Sequence, residues 1–171
     1  MCIRDRLETP KDVTLYALKE AKSQNCITIL NPAPSSEIPD DYFQYIDFFT
    51  PNETEASFYL GKKVESKTEI EESAKTFLEK GVKNIIITLG PKGLYFANSE
   101  ESFFIDVYSL KDKVIDTTGA GDAFNGAFAY ALSNKLKIKD ALEFSNKVAA
   151  ISTTKAGAAN SMPKINEVET Y

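Results

Sequence analysis

The sequence contains no histidine and only two cysteines, Cys2 and Cys26, with no CxxC pair. A Cys/His zinc centre is therefore excluded, as is any catalytic triad built on a histidine base. Two scattered cysteines form no disulfide framework and fit a reducing, cytoplasmic setting. No apolar run approaches the roughly 18 residues that a membrane span requires. The opening hexapeptide, MCIRDR, lacks the apolar core of a signal peptide. Positive charge is also short: 20 Lys and Arg against 25 Asp and Glu leave a net charge of −5. With no block of like sign, this argues against nucleic acid as the main partner. Internal repeats, low-complexity segments and long linkers are missing too.

What remains is the material of a globular fold. The 171 residues are 43% hydrophobic and 26% charged, the size and composition of one ordinary domain. LETP at 7–10 reads as the exit from a strand, with Pro10 in the first turn of a helix over 11–22. In that helix Val13, Leu15, Leu18 and Ala21 share a face. Apolar, β-branched runs at 26–30, 46–49 and 82–89 read as buried strands. Asn52 caps a helix that ends at Gly61. A second helix over 67–80 aligns Ile70, Ala74, Phe77 and Leu78. Segments 93–97 and 103–107 read as a hairpin, 142–153 as a helix, and a terminal helix starts near Pro163. Strands alternating with helices of this length imply an α/β fold with a mostly parallel sheet covered on both faces. In such folds ligands bind beyond the carboxyl ends of the strands. The loops NPAP, TPNETE, TLGPKG and DTTGAGD are expected to converge on that rim.

One stretch needs a special reason. In VIDTTGAGDAFNGAFAYAL, residues 114–132, Gly119 and Gly121 flank Ala120 at the start of an apolar helix, and Asp122 follows at once. Glycine is a poor helix former. Two glycines at a helix start allow a sharp turn and close approach of a ligand to the backbone. The first N–H groups of the helix, with its dipole, then offer a site for an anion. Such a site can stabilise a transferring phosphoryl group, and Asp122 can accept the proton of a hydroxyl held beside it. A plainer account is equally open, because Asp in a first helical turn is favoured by the dipole alone, by roughly 0.3–1 kcal/mol. Two familiar phosphate motifs do not apply. No GxxxxGK[ST] string occurs, and Phe124 stands where GxGxxG needs its third glycine.

DTTGAGDAFNGAF resembles the C-terminal signature of the ribokinase family of sugar and nucleoside kinases, also called the PfkB family. LETP, LNPAP, TPNETEA, ITLGPKG and KAGAANSMP follow in the family's order and approximate spacing. The resemblance implies a Rossmann-like three-layer αβα sandwich and ATP-dependent phosphorylation of a sugar, D-ribose before fructose, a deoxysugar or a nucleoside. Asp122 would be the general base, and the backbone of Gly119, Ala120 and Gly121 the anion hole. Asn52 and Glu55 would organise the phosphates and Mg²⁺, Glu55 through water. Thr88, Leu89, Gly90, Pro91, Lys92 and Gly93 would line the ATP site with Asn146, and Glu8 would touch the sugar. A monovalent cation, K⁺, would be held by Asp116 and Ser161 side chains and by carbonyls of Thr118, Ser152, Lys155 and Gly157. Oxygen donors of this kind suit a hard cation.

Each of these residues also has a simpler reading. Asn52 is explained as an N-cap, and Glu55 as the other half of a capping box. Asn146 can be a solvated or locally bonded helix residue, Asp116 a turn former, and Gly157 a helix C-cap. The likeness runs from about Leu7 to the end. The family's glycine-rich sugar-binding region, its sugar-gripping aspartate and its β-lid have no counterpart here. Residues 1–6 show no strand pattern and read as foreign to a C-terminal ATP-binding part over 7–171. A truncated chain of this kind is expected to expose a strand edge and apolar faces. It is also expected to show little or no sugar kinase activity, or to serve as a non-catalytic nucleotide-binding remnant. The family's lid-mediated homodimer is not expected.

Overall fold

The computed structural model describes residues 2–110 and 113–171, so Met1 of the opening hexapeptide lies outside it. The chain divides into two compact units, Met1–Ile105 and Asp106–Tyr171.

The first unit carries a six-stranded sheet with its strands in sequence order. Its elements are β1 (Cys2–Arg6), α1 (Lys11–Ser23), β2 (Ile27–Asn31), β3 (Phe48–Phe49), α2 (Glu53–Leu60), α3 (Lys67–Glu79), β4 (Asn84–Thr88), β5 (Leu94–Asn98) and β6 (Ser102–Ile105). Strands β1 to β4 run parallel, and β5 and β6 join antiparallel as the expected hairpin. Adjacent strand residues face opposite sides of a sheet. Ile29 and Leu30, and likewise Ile85 and Ile86, are all fully buried. The central strands are thus withdrawn from water on both faces, as their unbroken apolar runs require. One face carries a core of Leu18, Leu30, Phe43, Phe49, Phe77 and Ile85, with Phe43 and Phe49 meeting edge to face at 5.6 Å.

Two expectations need correction here. Residues Cys2–Arg6 do form a strand, paired in register from Cys2 with Ile27 to Arg6 with Asn31. Backbone pairing to β2, rather than an alternating apolar pattern, makes this edge strand, so periodicity could not reveal it. In α1, Val13 is exposed and Thr14 takes the buried place, bonded to the Thr9 hydroxyl at 2.6 Å. Helix α3 matches closely, since a Ser66/Glu69 capping box starts it and Ile70, Ala74 and Phe77 are buried. Leu78 is only partly covered, and Ser73 completes the face.

The second unit consists of α4 (Ala120–Ser133), α5 (Ile138–Ser152) and the short α6 (Ile165–Thr170). Helix α5 starts four residues ahead of the expected Leu142. Ala123 and Ala127 of α4 pack with Val148 and Ile151 of α5 and Val168 of α6. Among the described residues no helix is long and apolar enough to cross a membrane.

Candidate active site

In the first unit three of the four predicted loops leave the carboxyl ends of neighbouring parallel strands and meet. Asn31, at the end of β2, donates its amide to the Thr50 carbonyl at 3.0 Å. Thr88, at the end of β4, donates its N–H to the Pro51 carbonyl at 3.0 Å and bridges Asn52. The fourth loop, DTTGAGD, belongs to the second unit.

Asn52 and Glu55 take their simpler roles in full. The Asn52 side chain accepts the Glu55 N–H at 2.8 Å, and the Glu55 carboxylate accepts the Asn52 N–H at 2.8 Å. Gly61, in the left-handed region at φ 62°, ends the helix. Glu55 is buried, and this desolvation raises its pKa against the pull of the Asn52 N–H and nearby Arg6. Arg6 also pairs with the exposed Glu8 at 3.0 Å. Gly90–Lys92 forms a short 3₁₀ turn between Leu89 and Gly93, with Pro91 inside it. Lys92 reaches Glu53, at the start of α2, at 3.1 Å. The Leu89 side chain belongs to the core, so this position offers a ligand only its backbone.

In the second unit the two glycines of GAGD separate in role. Gly119 has φ 78°, and a Cβ there would lie 3.1 Å from Cα and Cβ of Ala158. Chain geometry alone accounts for it. Gly121 has no left-handed backbone, and a Cβ there would meet nothing within 4 Å. No internal constraint explains Gly121, which leaves open space outside the first turn of α4. Asp122 follows, half-buried, and lines a groove of about 290 Å³ with Gly126, Tyr130, Phe144, Met162 and Ile165.

Asp116 ties the loop before α4 to the loop after α5. Its carboxylate accepts N–H bonds from Thr118 at 2.9 Å and Gly157 at 2.8 Å. The N–H groups of Ile115 and Asp116 both donate to the Thr153 carbonyl, at 2.8 and 3.1 Å. Bonds from Thr118 and Gly157 hold the Asp116 pKa down to about 2. Gly157 is not a helix C-cap: α5 ends at Ser152 with Thr153 as its cap, and Gly157 sits in the following loop at φ 87°. The Ser161 hydroxyl, buried, donates to Ala158 O at 2.7 Å, and Lys155 pairs with Glu167 at 2.6 Å. The Ser152 carbonyl accepts the Lys155 N–H at 3.4 Å. Asn146 stands outside this knot. It is buried and donates to the Asp106 carbonyl at 2.7 Å, a bond across 40 residues, so it is neither solvated nor locally bonded.

These loops can be compared with those of known proteins. Residues 7–165 match the pfkB family carbohydrate kinases. The chain belongs to this family. A ribokinase of Staphylococcus aureus (strain COL) is 40% identical over 164 residues, which cover 95% of this chain and 53% of that protein. The structure of a Thermotoga maritima ribokinase is similar with a TM-score of 0.89 at 39% identity, covering 99% of this chain and 55% of the other. An Arabidopsis thaliana ribokinase, complexed with ribose and ATP, gives a TM-score of 0.94 at 29% identity over 99% of this chain and 55% of the other. The chain spans about half the length of the curated relatives it matches.

For a pfkB family chain, sequence reasoning passed over two buried polar residues. Asn125, 1% exposed, lies inside the quoted stretch, and its only sequence signal is a polar residue within an apolar helical run. Asp47, 8% exposed, immediately precedes β3 and gathers Lys22, Lys83 and Thr28. An acidic residue in an otherwise buried strand was the available clue. Among the described residues no three His, Cys, Asp or Glu side chains cluster for a metal ion.

Proposed function

We propose that this chain carries the phosphoryl-transfer machinery of an ATP-dependent ribokinase, which converts D-ribose and ATP to ribose 5-phosphate and ADP in the cytoplasm. The observation that carries the reading is Asp122 set directly behind Gly119–Gly121 at the start of α4. A helix start of this kind favours the charge that develops on a transferring phosphoryl group. Asp122 takes the proton of the sugar hydroxyl, whose oxygen then bonds to the γ-phosphorus as the bond to the ADP oxygen breaks. The Gly119, Ala120 and Gly121 backbone receives the phosphoryl oxygens.

The second-unit residues fit a monovalent cation of the K⁺ type. Asp116 remains ionised down to a pH of about 2, and the carbonyls of Thr118, Ser152, Lys155 and Gly157, with the Ser161 hydroxyl, complete an oxygen-only set. Such a cation would supply a fixed positive charge beside the GAGD turn. In the first unit Glu55 fits Mg²⁺ held through water, because this ion keeps several waters and needs few carboxylates. When bound with ATP it neutralises phosphate charge. Asn52 and the 88–93 segment are assigned to the nucleotide, Asn146 to its adenosine part and Glu8 to the sugar.

The test is MgATP binding and ribose phosphorylation by the purified chain, with K⁺ or tetramethylammonium, beside Asp122→Asn. The reading expects MgATP binding that survives the substitution and little turnover from these 171 residues alone. Any ribose-dependent ADP production should vanish with Asp122→Asn and fall without K⁺. A folded chain that ignores MgATP overturns the reading. Binding without turnover even beside the remainder of a ribokinase would mark a nucleotide-binding remnant. A preference for a deoxysugar or fructose would correct the substrate alone.

A further inference from the structure

Asn125 is a costly residue in its place. Asparagine is a weak helix former, and a buried amide is unfavourable unless hydrogen-bonded. Yet it sits in the second turn of α4 at 1% exposure. Its Nδ2 donates to the Gly121 carbonyl at 2.9 Å. That carbonyl and the Asp122 N–H are the two ends of one rigid peptide plane. A second donor at this oxygen, beside the helix's own Asn125 N–H, therefore fixes the direction of the Asp122 N–H more tightly. A hydrogen bond at the oxygen also polarises the amide and strengthens its N–H as a donor. At the start of a helix the early N–H groups are those that an anion meets. Gly121, with open space where a Cβ would stand, leaves that side of the peptide accessible.

We infer that Asn125 is a positioning residue, which orients and polarises the Gly121–Asp122 peptide so that the Asp122 N–H meets a transferring phosphate. This assignment rests on the kinase reading for its anion, but its geometric content stands apart from it. Its action runs through the peptide it holds.

The decisive pair is Asn125→Thr and Asn125→Val in the full chain. Both shorten the side chain equally and share any folding cost. Only threonine can donate a hydroxyl to the carbonyl four residues back. Two measurements are made on each: the residual dipolar coupling of the ¹⁵N-labelled Asp122 N–H, and affinity for tripolyphosphate with Mg²⁺. Ala131→Gly, which loosens the same helix at a buried site, is the control for destabilisation alone. The expected result is a Thr variant close to wild type. In the Val variant the Asp122 coupling should shift, and tripolyphosphate should bind about threefold to tenfold more weakly, the worth of one hydrogen bond. Ala131→Gly should leave both unchanged. Equal couplings in Thr and Val overturn the assignment, as does an affinity loss matched by Ala131→Gly. If wild type binds no tripolyphosphate, the Asp122 coupling alone decides the role of Asn125, and MgATP binding decides the kinase reading separately.

Discussion

Replacing Asp47 by Asn should unpin the amino ends of three parallel strands. The carboxylate of Asp47 accepts the Thr28 N–H of β2 at 3.0 Å, the Lys83 ammonium at 3.0 Å and the Lys22 ammonium of α1. Its carbonyl accepts the Asn84 amide at 2.9 Å, which reaches β4. Asparagine keeps the shape, removes the charge and sets an amide donor among other donors. A hydrogen bond to a charged group contributes about 1.5–3 kcal/mol, and Lys22, at 24% side-chain exposure, adds a partly buried ion pair. Lys83 is 61% exposed and adds little. The sum is about 2–4 kcal/mol, or a fall in Tm of about 4–16 °C for a chain of this size. Burial pushes the Asp47 pKa up, but bonds from Lys22, Thr28 and Lys83 outweigh it and hold the group below the usual carboxylate range. A depressed pKa means that the stabilisation is complete above the unfolded value of about 3.9 and disappears as pH falls through the folded value. Denaturation followed by circular dichroism should thus show a full gap between wild type and Asp47→Asn at pH 7, narrowing below about pH 4. A gap under about 0.5 kcal/mol at pH 7, the scale of an ordinary surface change, refutes the reasoning. So does a gap that stays constant down to pH 3.

The two glycines of GAGD should respond oppositely to alanine. Gly119→Ala places a Cβ against Ala158 at φ 78° and should cost about 1–3 kcal/mol of stability in urea titration. Gly121→Ala should hold or raise stability, by up to about 1 kcal/mol, because alanine is the better helix former; its cost should appear as weaker MgATP binding in calorimetry. Equal destabilisation by both would show that Gly121 has a packing role after all. Glu55→Gln keeps the capping box, since glutamine serves equally at that position, and removes a buried charge. The raised pKa of Glu55 implies a contribution present below the unfolded value and lost as pH rises through the folded one. The variant should therefore be at least as stable as wild type at pH 7, with its relative advantage shrinking toward pH 4, while MgATP binding weakens. A variant less stable by the same margin at both pH values contradicts this.

Local chemistry was legible wherever one residue type has one cheap use. The Asn52–Gly61 helix follows from its cap, the 67–80 helix from apolar periodicity, and the hairpin over 93–97 and 103–107 from its short strand segments, and all three are present. Strand β1 was not legible, because pairing with a neighbour holds it and its own sequence carries no strand pattern. Thr14 displaced Val13 because a side-chain bond to Thr9 let a polar residue take the buried position. The partners of Asp47 carry no local signal, because they lie 19, 25 and 36 residues away.

The GAGD turn shows how far motif and geometry differ as evidence. Sequence treated Gly119 and Gly121 as a pair with one purpose, and both fit the family signature. In the folded chain Gly119 is already required by its backbone and by Ala158, whatever the protein binds. Gly121 meets no such requirement, so the case for chemistry at this turn rests more heavily on it than on its partner. The same logic separates Asn52 from Asp116. Asn52 is fully accounted for by its capping box, and a phosphate role adds a demand to a residue already used. Asp116 spends its carboxylate on two N–H groups of separate loops and stays ionised, leaving a fixed negative charge on the protein beside a helix start. On the proposed reading, a K⁺ beside Asp116 would offset that charge next to a bound phosphate. If K⁺ raises MgATP affinity in wild type, Asp116→Asn should remove most of that increment, and a K⁺ effect that survives the substitution would break the link.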